Sequence, residues 1–154
     1  MCSSDLQIIL PRLSALLRPA DYLLLSANLA PGPDYAAGVQ QILPLYENDL
    51  TREWLLTFLL DLGVERGDGA LIFAVEDSGD LKRIVADFKF SASRQICIDR
   101  ETFAFRAGDA IRLFFSWRHT PELVRTLLAA HGMKILDQWL TKSGEEGVFL
   151  CQRI

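Results

Sequence analysis

The chain has 154 residues, of which 50% are hydrophobic and 23% are charged, and its formal net charge is −4 at pH 7. This length suits one domain, and the composition, with a mean hydropathy of +0.17, is typical of a globular protein and not of a disordered one. The acidic balance and the scattered Lys and Arg residues argue against nucleic acid as a partner, because affinity for phosphate backbones comes from clustered basic side chains.

The cysteines and histidines argue against a disulfide framework and a metal site. The chain has three cysteines, Cys2, Cys97 and Cys151, which is an odd number, and no two of them have CxxC spacing. We therefore expect reduced thiols in a cytoplasmic protein. His119 and His131 are the only histidines, too few to build a His-rich metal site by themselves.

No targeting or membrane segment is expected. The first residues lack the basic region of a signal peptide, and the apolar run that follows is broken by Pro11 and Arg12. The longest uninterrupted apolar run, residues 70–75, is far too short to span a bilayer.

The amino-terminal part predicts a helix followed by a buried strand. Apolar residues recur at spacings of three and four over residues 5–18, which predicts a helix that is capped by Asp5 and that kinks or restarts at Pro11. Residues 22–26, YLLLS, form a mostly apolar run of strand length. Such a run is typical of a strand buried on both faces of a parallel sheet.

Asn28 follows this strand, where open parallel sheets bind their ligands. It is therefore interpreted either as a binding residue or as a turn residue that tolerates the left-handed conformation. A helix over residues 35–43 is predicted next, and Pro44 is expected to end it.

A third helix is predicted over residues 51–62, with Asn48 or Asp49 as its cap and Gly63 closing it. Its expected core face consists of five apolar residues at helical spacing. These are Trp54, Leu55, Phe58, Leu59 and Leu62.

After Gly69 the pattern becomes that of strands. Alternating or apolar runs predict strands at 70–76, 81–92, 95–99, 101–106 and 110–117, of which the first two form a hairpin. Four aromatic residues of this block are interpreted as core: Phe103, Phe105, Phe114 and Phe115. A helix over 121–132, started by Thr120 and Pro121, and a terminal hairpin of strands at 133–141 and 148–153 complete the chain.

The strand at 110–117 and the helix start after it suggest a small-molecule pocket. There the chain delivers a hydroxyl, an indole, a guanidinium and an imidazole, from Ser116, Trp117, Arg118 and His119. Ser116 is either a substrate-side group or a hydroxyl bonded locally. Arg118 is either a carboxylate-binding residue or a solvated surface residue, and His119 is either a base or a polar residue flanking the helix.

The order of elements resembles the carboxyl-terminal half of the histidine-specific (ergothioneine-type) S-adenosylmethionine-dependent methyltransferases. The resemblance covers nearly the whole chain from about Leu6, and its motifs are weak singly but share order and spacing. They are a helix, a Pro-Ala-Asp turn and an apolar strand at 13–25, Tyr46-Glu47-Asn48-Asp49 with Thr51 and Trp54, the Gly-acid turn at 105–109, and Ser116-Trp117-Arg118-His119-Thr120-Pro121-Glu122.

The resemblance implies an α/β fold, the C-terminal part of a class I (Rossmann-like) methyltransferase sheet with an added antiparallel β block. Residues 1–154 would form a single partial domain. It would comprise a helix-strand-helix part at 5–68, the antiparallel block at 69–118, and a closing helix and hairpin at 119–154.

The resemblance also implies S-adenosylmethionine as the cofactor and a small-molecule substrate contacted by Tyr46 and Ser116. Asn28, at the strand end, Arg118 and Phe114 complete the expected substrate site. Tyr46 would donate to a substrate carboxylate, or else it packs on the following helix. No GxGxxG segment is present. The nearest approach, Gly67-Asp68-Gly69, precedes a strand instead of following one, so the amino-terminal cofactor-binding half of the family domain is lacking.

A second departure concerns the substrate. The family's histidine-binding acid lies two residues before the Ser, where this chain has Phe114. A carboxylate binds an imidazole by a charge-assisted hydrogen bond, which Phe cannot form, so histidine is a poor candidate for the substrate.

Three hypotheses follow. The chain is the substrate-recognition half of a methyltransferase acting on an amino-acid-like or other small molecule, inactive alone; or it is a non-catalytic binding or assembly module; or it is an unrelated small α+β domain. The strand at 22–26 would lack one neighbour if the amino-terminal half is absent. An exposed apolar edge or face is therefore expected there, with the missing half or a second copy as a partner.

Overall fold

The computed structural model describes residues 3–154, and it describes their side chains from Ile8 onward. The described elements are α1 Ser3–Leu16, β1 Tyr22–Asn28, α2 Tyr35–Tyr46, α3 Asp49–Asp61, β2 Gly69–Ser78, β3 Leu81–Phe90, β4 Arg94–Ile98, β5 Glu101–Phe105, β6 Ala110–Arg118, α4 Pro121–Ala130, β7 Met133–Leu140 and β8 Glu146–Arg153. They are the predicted elements in the predicted order. Cys2 and the chain start lie outside the described residues.

The chain divides into two compact units. The first consists of the described part of Met1–Ile42 together with Asp77–Arg83 and Trp117–Ile154, and the second of Leu43–Glu76 and Ile84–Ser116. Each unit thus combines segments that are distant in sequence.

The first unit contains a three-stranded sheet in the order β1-β8-β7. Both pairings are antiparallel, with Leu24 opposite Leu150 in one and Trp139 opposite Val148 in the other. The pairing of β7 with β8 confirms the predicted terminal hairpin. α1 and α4 pack against one face of this sheet and form the core of the unit with it. The buried core residues are Leu10, Leu29, Val124, Leu128, Met133, Phe149 and Cys151.

The prediction that β1 is buried on both faces is wrong. Leu23 and Leu25 pack toward the core, whereas Tyr22 and Leu24, on the opposite face, are 62% and 66% exposed. The reason is that α1 and α4 cover only one face of an antiparallel sheet, which such sheets tolerate better than parallel ones. The expectation of an exposed apolar face at this strand is confirmed.

Two prolines have less effect on the helices than expected. α1 runs continuously from Ser3 to Leu16 through Pro11, so that Asp5 lies inside the helix and not at its cap. α2 continues past Pro44 to Tyr46. The final turn of α2 is closed by a bond from the Glu47 amide to the Pro44 carbonyl, 3.2 Å.

The second unit holds the predicted antiparallel block. Its strands form one sheet in the order β2-β3-β6 and a separate two-stranded sheet of β4 and β5. One aromatic group dominates its core: the Phe90 ring stacks on Phe105 at 4.5 Å and meets Phe88 edge-on at 5.2 Å between centroids. Such offset and edge contacts stabilise aromatic pairs beyond their buried area.

The core face of α3 is narrower than predicted. Asn48 caps the helix by accepting a bond from the Thr51 amide at 2.9 Å, and Leu55 and Leu59 are buried, but Trp54 and Phe58 are exposed. The helical spacing predicted an apolar face that is wider than the part of α3 that is buried. The aromatic residues of the block divide in the same way, since Phe105 and Phe114 pack inside whereas Phe103 and Phe115 are partly exposed.

A charge cluster links the three neighbouring strands of the larger sheet. Arg112 on β6 donates to Glu76 on β2 at 2.7 and 3.1 Å, and its guanidinium also bonds both carboxylate oxygens of Asp87 on β3. The two carboxylates raise the pKa of Arg112 above its ordinary value. The cluster is therefore satisfied internally and has a structural role.

Candidate functional site

The predicted site residues fall into different units. Asn28 and Arg118 belong to the first unit, and Tyr46, Phe114 and Ser116 belong to the second. Their geometry is described within each unit, beginning with the first.

Asn28 is the last residue of β1 and not a turn residue. Its carbonyl accepts a bond from the His119 amide at 3.0 Å, and the Ala30 amide donates to the His119 carbonyl at 2.8 Å. An isolated parallel bridge between Leu29 and His119 joins the two segments there. The structure therefore brings the end of β1 beside the residue that follows β6, as the pocket hypothesis requires.

Arg118 is 3% exposed, so the interpretation as a solvated surface residue is wrong. Its Nη1 donates to the Leu29 carbonyl at 3.3 Å. A buried guanidinium is rare in a protein unless it is paired, because removing the charge from water is costly. Arg118 thus holds the loop after β1 in place, and its role toward a substrate stays a prediction.

Tyr35 is a residue of this unit that the sequence analysis did not single out. Its hydroxyl donates to the Arg118 carbonyl at 2.7 Å and accepts a bond from the Lys82 amide at 2.8 Å. Burial raises the pKa of Tyr35, so the hydroxyl remains a donor at neutral pH. The Tyr35 hydroxyl therefore connects three distant segments of the chain. The one sequence signal that could have identified this residue is its position at the start of a predicted helix, directly after Asp34.

His119 is buried, with 8% of its surface exposed. It precedes Thr120, which caps α4 by accepting a bond from the Leu123 amide at 3.1 Å. Desolvation lowers the pKa of His119, an effect that the Asn28 carbonyl partly offsets, and Nδ1 has no hydrogen-bond partner among the described residues. The imidazole is therefore neutral at pH 7.

This burial predicts a pH-dependent stability. Because the pKa of His119 is lower in the folded than in the unfolded state, the unfolded chain binds more protons in acid. The contribution of the neutral, buried His119 to the free energy of unfolding is fully present above the unfolded pKa of about 6.5, and it is lost as pH falls through the folded pKa. We expect the free energy of unfolding, measured by urea titration monitored by circular dichroism, to fall over this interval.

The His119→Gln variant should show a shallower decline over the same pH interval. His131→Gln removes the other histidine, which is only partly buried at the end of α4, and should keep the slope of the wild-type chain. Equal slopes for wild type and His119→Gln would contradict the assignment.

In the second unit, Tyr46 packs against Phe114 with ring centroids 5.1 Å apart and planes tilted by 36°. Both rings join the core cluster around Leu55 and Phe73. This geometry favours the packing interpretation of Tyr46, although the residue ends α2 and does not lie in a loop. Phe114 presents an apolar ring to this cluster.

Ser116 is also buried, at 6% exposure. It lies within β6, two residues after Phe114. Because its side chain is buried, Ser116 is not a surface group. Its role toward a substrate stays a prediction.

The residues present do not fit S-adenosylmethionine. At Gly67-Asp68-Gly69, the Asp68 carboxylate accepts a bond from the Glu65 amide at 2.7 Å and pairs with Arg94 at 3.1 Å. A Cβ on Gly69 would lie 2.2 Å from the Lys89 carbonyl oxygen. This segment is therefore a hydrogen-bonded turn before β2 whose Gly69 packs directly on the neighbouring strand, and it is not a glycine-rich loop between a strand and a helix.

Within residues 3–154, no group of three or more His, Cys, Asp and Glu side chains is placed to hold a metal ion. None of the described helices is both long enough and apolar enough to cross a membrane.

Comparisons with known proteins give structural similarity alone. No family model and no curated protein matches the chain. Among solved structures, it is similar to an S-adenosylmethionine-dependent methyltransferase from Clostridium acetobutylicum, with 12% identity, a TM-score of 0.43, and coverage of 98% of this chain and 52% of that one. It is also similar to the CcbJ methyltransferase from Streptomyces caelestis, with 8% identity, a TM-score of 0.36, and coverage of 94% and 51%. The chain therefore spans about half the length of the methyltransferases it matches, and nothing in these matches singles out the histidine-specific family.

Proposed function

We propose that the chain is the substrate-recognition half of an S-adenosylmethionine-dependent methyltransferase that acts on an amino-acid-like or other small molecule, and that it is inactive without a cofactor-binding half. The main support is the sheet order β1-β8-β7. The terminal hairpin, which resembles the closing antiparallel hairpin of the methyltransferase sheet, has its last strand directly beside β1.

The proposal assigns binding, and no chemical step, to this chain. In methyl transfer the cofactor carries the reactive group, and the protein's contribution is to hold the acceptor in position. Tyr46 and Phe114 are half-buried against an apolar cluster, which suits an acceptor without an imidazole. The Tyr46 hydroxyl would bind the acceptor's carboxylate as a donor.

Tyr46→Phe tests this role, because it removes the hydroxyl but keeps the ring that packs on Phe114. A hydrogen bond to a charged group contributes about 1.5–3 kcal/mol, so we expect the affinity for a carboxylate ligand to fall by roughly 10- to 100-fold. The measurement is calorimetric titration of the chain with a panel of free L-amino acids.

Tyr22→Phe is the matched control, because it removes a hydroxyl from an exposed tyrosine of β1 and should leave affinity unchanged. If no amino acid binds, or if both variants bind as the wild type does, Tyr46 has no such role.

The alternative is a non-catalytic binding or assembly module that retains the fold without the cofactor site. Titration with S-adenosylmethionine separates the two proposals. For a methyltransferase half we expect no binding by this chain alone, and binding after a glycine-rich cofactor-binding half is added. Absence of binding in both cases would favour the alternative.

A further inference from the structure

β1 is the edge strand of its sheet. β8 pairs with one side of it, and no strand of residues 3–154 forms a ladder on the other side, where the isolated bridge to His119 touches only the carboxyl end. The Leu29 amide bonds Glu145 on the β8 side, whereas the Asn28 carbonyl bonds His119 on the opposite side. Main-chain groups alternate along a strand, so the N–H and C=O of Tyr22, Leu24 and Ser26 point away from β8.

This edge lacks the features that usually prevent edge strands from pairing. The seven residues YLLLSAN contain no charge and no proline, whereas edge strands are commonly protected by Lys, Pro or a bulge. The irregularity in this sheet lies between Ile135 and Asp137 on β7, at the opposite side. β1 is therefore open to addition of a further strand.

We propose that β1 pairs with the β1 of a second copy of this chain, antiparallel and about a two-fold axis at Leu24. In this register Leu24 faces Leu24 of the second copy, and Tyr22 faces Ser26 in both directions. These are the residues whose main-chain groups point outward, so each facing pair exchanges both of its main-chain hydrogen bonds.

The side chains on both faces are compatible with this register. On the exposed face the two Leu24 side chains meet, and each Tyr22 hydroxyl lies beside a Ser26 hydroxyl. On the core face Leu23 lies opposite Leu25. Asp21, the nearest charged residue, faces Ala27, so no like charges oppose each other.

A second copy is the proposed partner because the strand is complementary to itself, and the amino-terminal half of the proposed methyltransferase would compete with it for the same edge. Closed two-fold pairing uses the same patch on both molecules and requires that the patch be complementary to itself. An uncharged strand whose central residue is an exposed leucine meets this requirement. The two sheets would join into one of six strands, and the apolar faces around Leu24 and Leu150 would become continuous.

Light scattering after size-exclusion chromatography tests the proposal at micromolar concentrations of the full chain. We expect a dimer for the wild type. Leu24→Lys and Leu24→Glu should each be monomeric, because each places two like charges face to face at the axis. A mixture of the two variants should recover the dimer, because the facing charges are then opposite.

Leu136→Lys is the control: it places the same charge at another exposed leucine of the sheet, on β7 and away from the β1 edge, and it should remain dimeric. Circular dichroism checks that each variant is folded. A monomeric wild type, a dimer that survives Leu24→Lys, loss of the dimer in Leu136→Lys, or failure of the mixture to recover it would each overturn the proposal.

Discussion

Gly69→Ala should destabilise the protein by on the order of 3 kcal/mol, because it forces extra volume into a closely packed strand pair. A Cβ at this position would lie 2.2 Å from the Lys89 carbonyl oxygen and 2.9 Å from the Phe88 ring. The nearest obstacle is main chain, so β2 and β3 would have to separate at the end of their ladder. No side-chain rotation can relieve the overlap.

Gly67→Ala is the matched control two residues earlier. Nothing lies within 4 Å of a Cβ at Gly67, and the substitution reduces the entropy of the unfolded chain, so stability should change by less than about 1 kcal/mol. Urea unfolding monitored by circular dichroism measures both variants. If the two substitutions change the free energy of unfolding equally, the short distance between Gly69 and the Lys89 carbonyl does not exclude a side chain at position 69.

Phe149→Ala should have the other large effect, a loss of about 3–5 kcal/mol, because removing a fully buried aromatic side chain leaves a cavity. Phe149 is 0% exposed at the centre of the first unit's core, in contact with residues of both the sheet and the helices. Urea unfolding monitored by circular dichroism measures the loss.

Val148→Ala, at the adjacent position, points to the opposite face and is 38% exposed. It should cost less than about 1 kcal/mol, mostly through lower strand propensity. If the two substitutions cost the same, the assignment of the two faces of β8 would be wrong.

The local elements could be predicted because their signals are local. Asn48 and Thr120 cap the helices after them as expected, and the alternating residues Ile84, Ala86, Phe88 and Phe90 of β3 are all buried, although Val85 on the other face is buried as well. Capping depends on residues within one turn, and alternation depends only on the period of the strand. Neither needs knowledge of the rest of the molecule.

The candidate site could be predicted only in part. The sequence indicated that Asn28 and the residues after β6 belong to strand ends, and the bonds between Asn28, Ala30 and His119 bring those ends together. It did not indicate that Tyr35 would bridge Arg118 and Lys82. Tyr35 is separated from Lys82 by 47 positions in the sequence and from Arg118 by 83 positions. No periodic pattern carries information over such separations.

By itself the sequence determined the order of helices and strands and the caps of α3 and α4, because these depend on neighbouring residues. Only the tertiary structure decided which apolar faces are covered. Leu23 and Leu24 are equally apolar, yet one packs in the core and the other is exposed. Burial depends on which elements lie opposite a face, and here α1 and α4 both pack on the same side of the sheet.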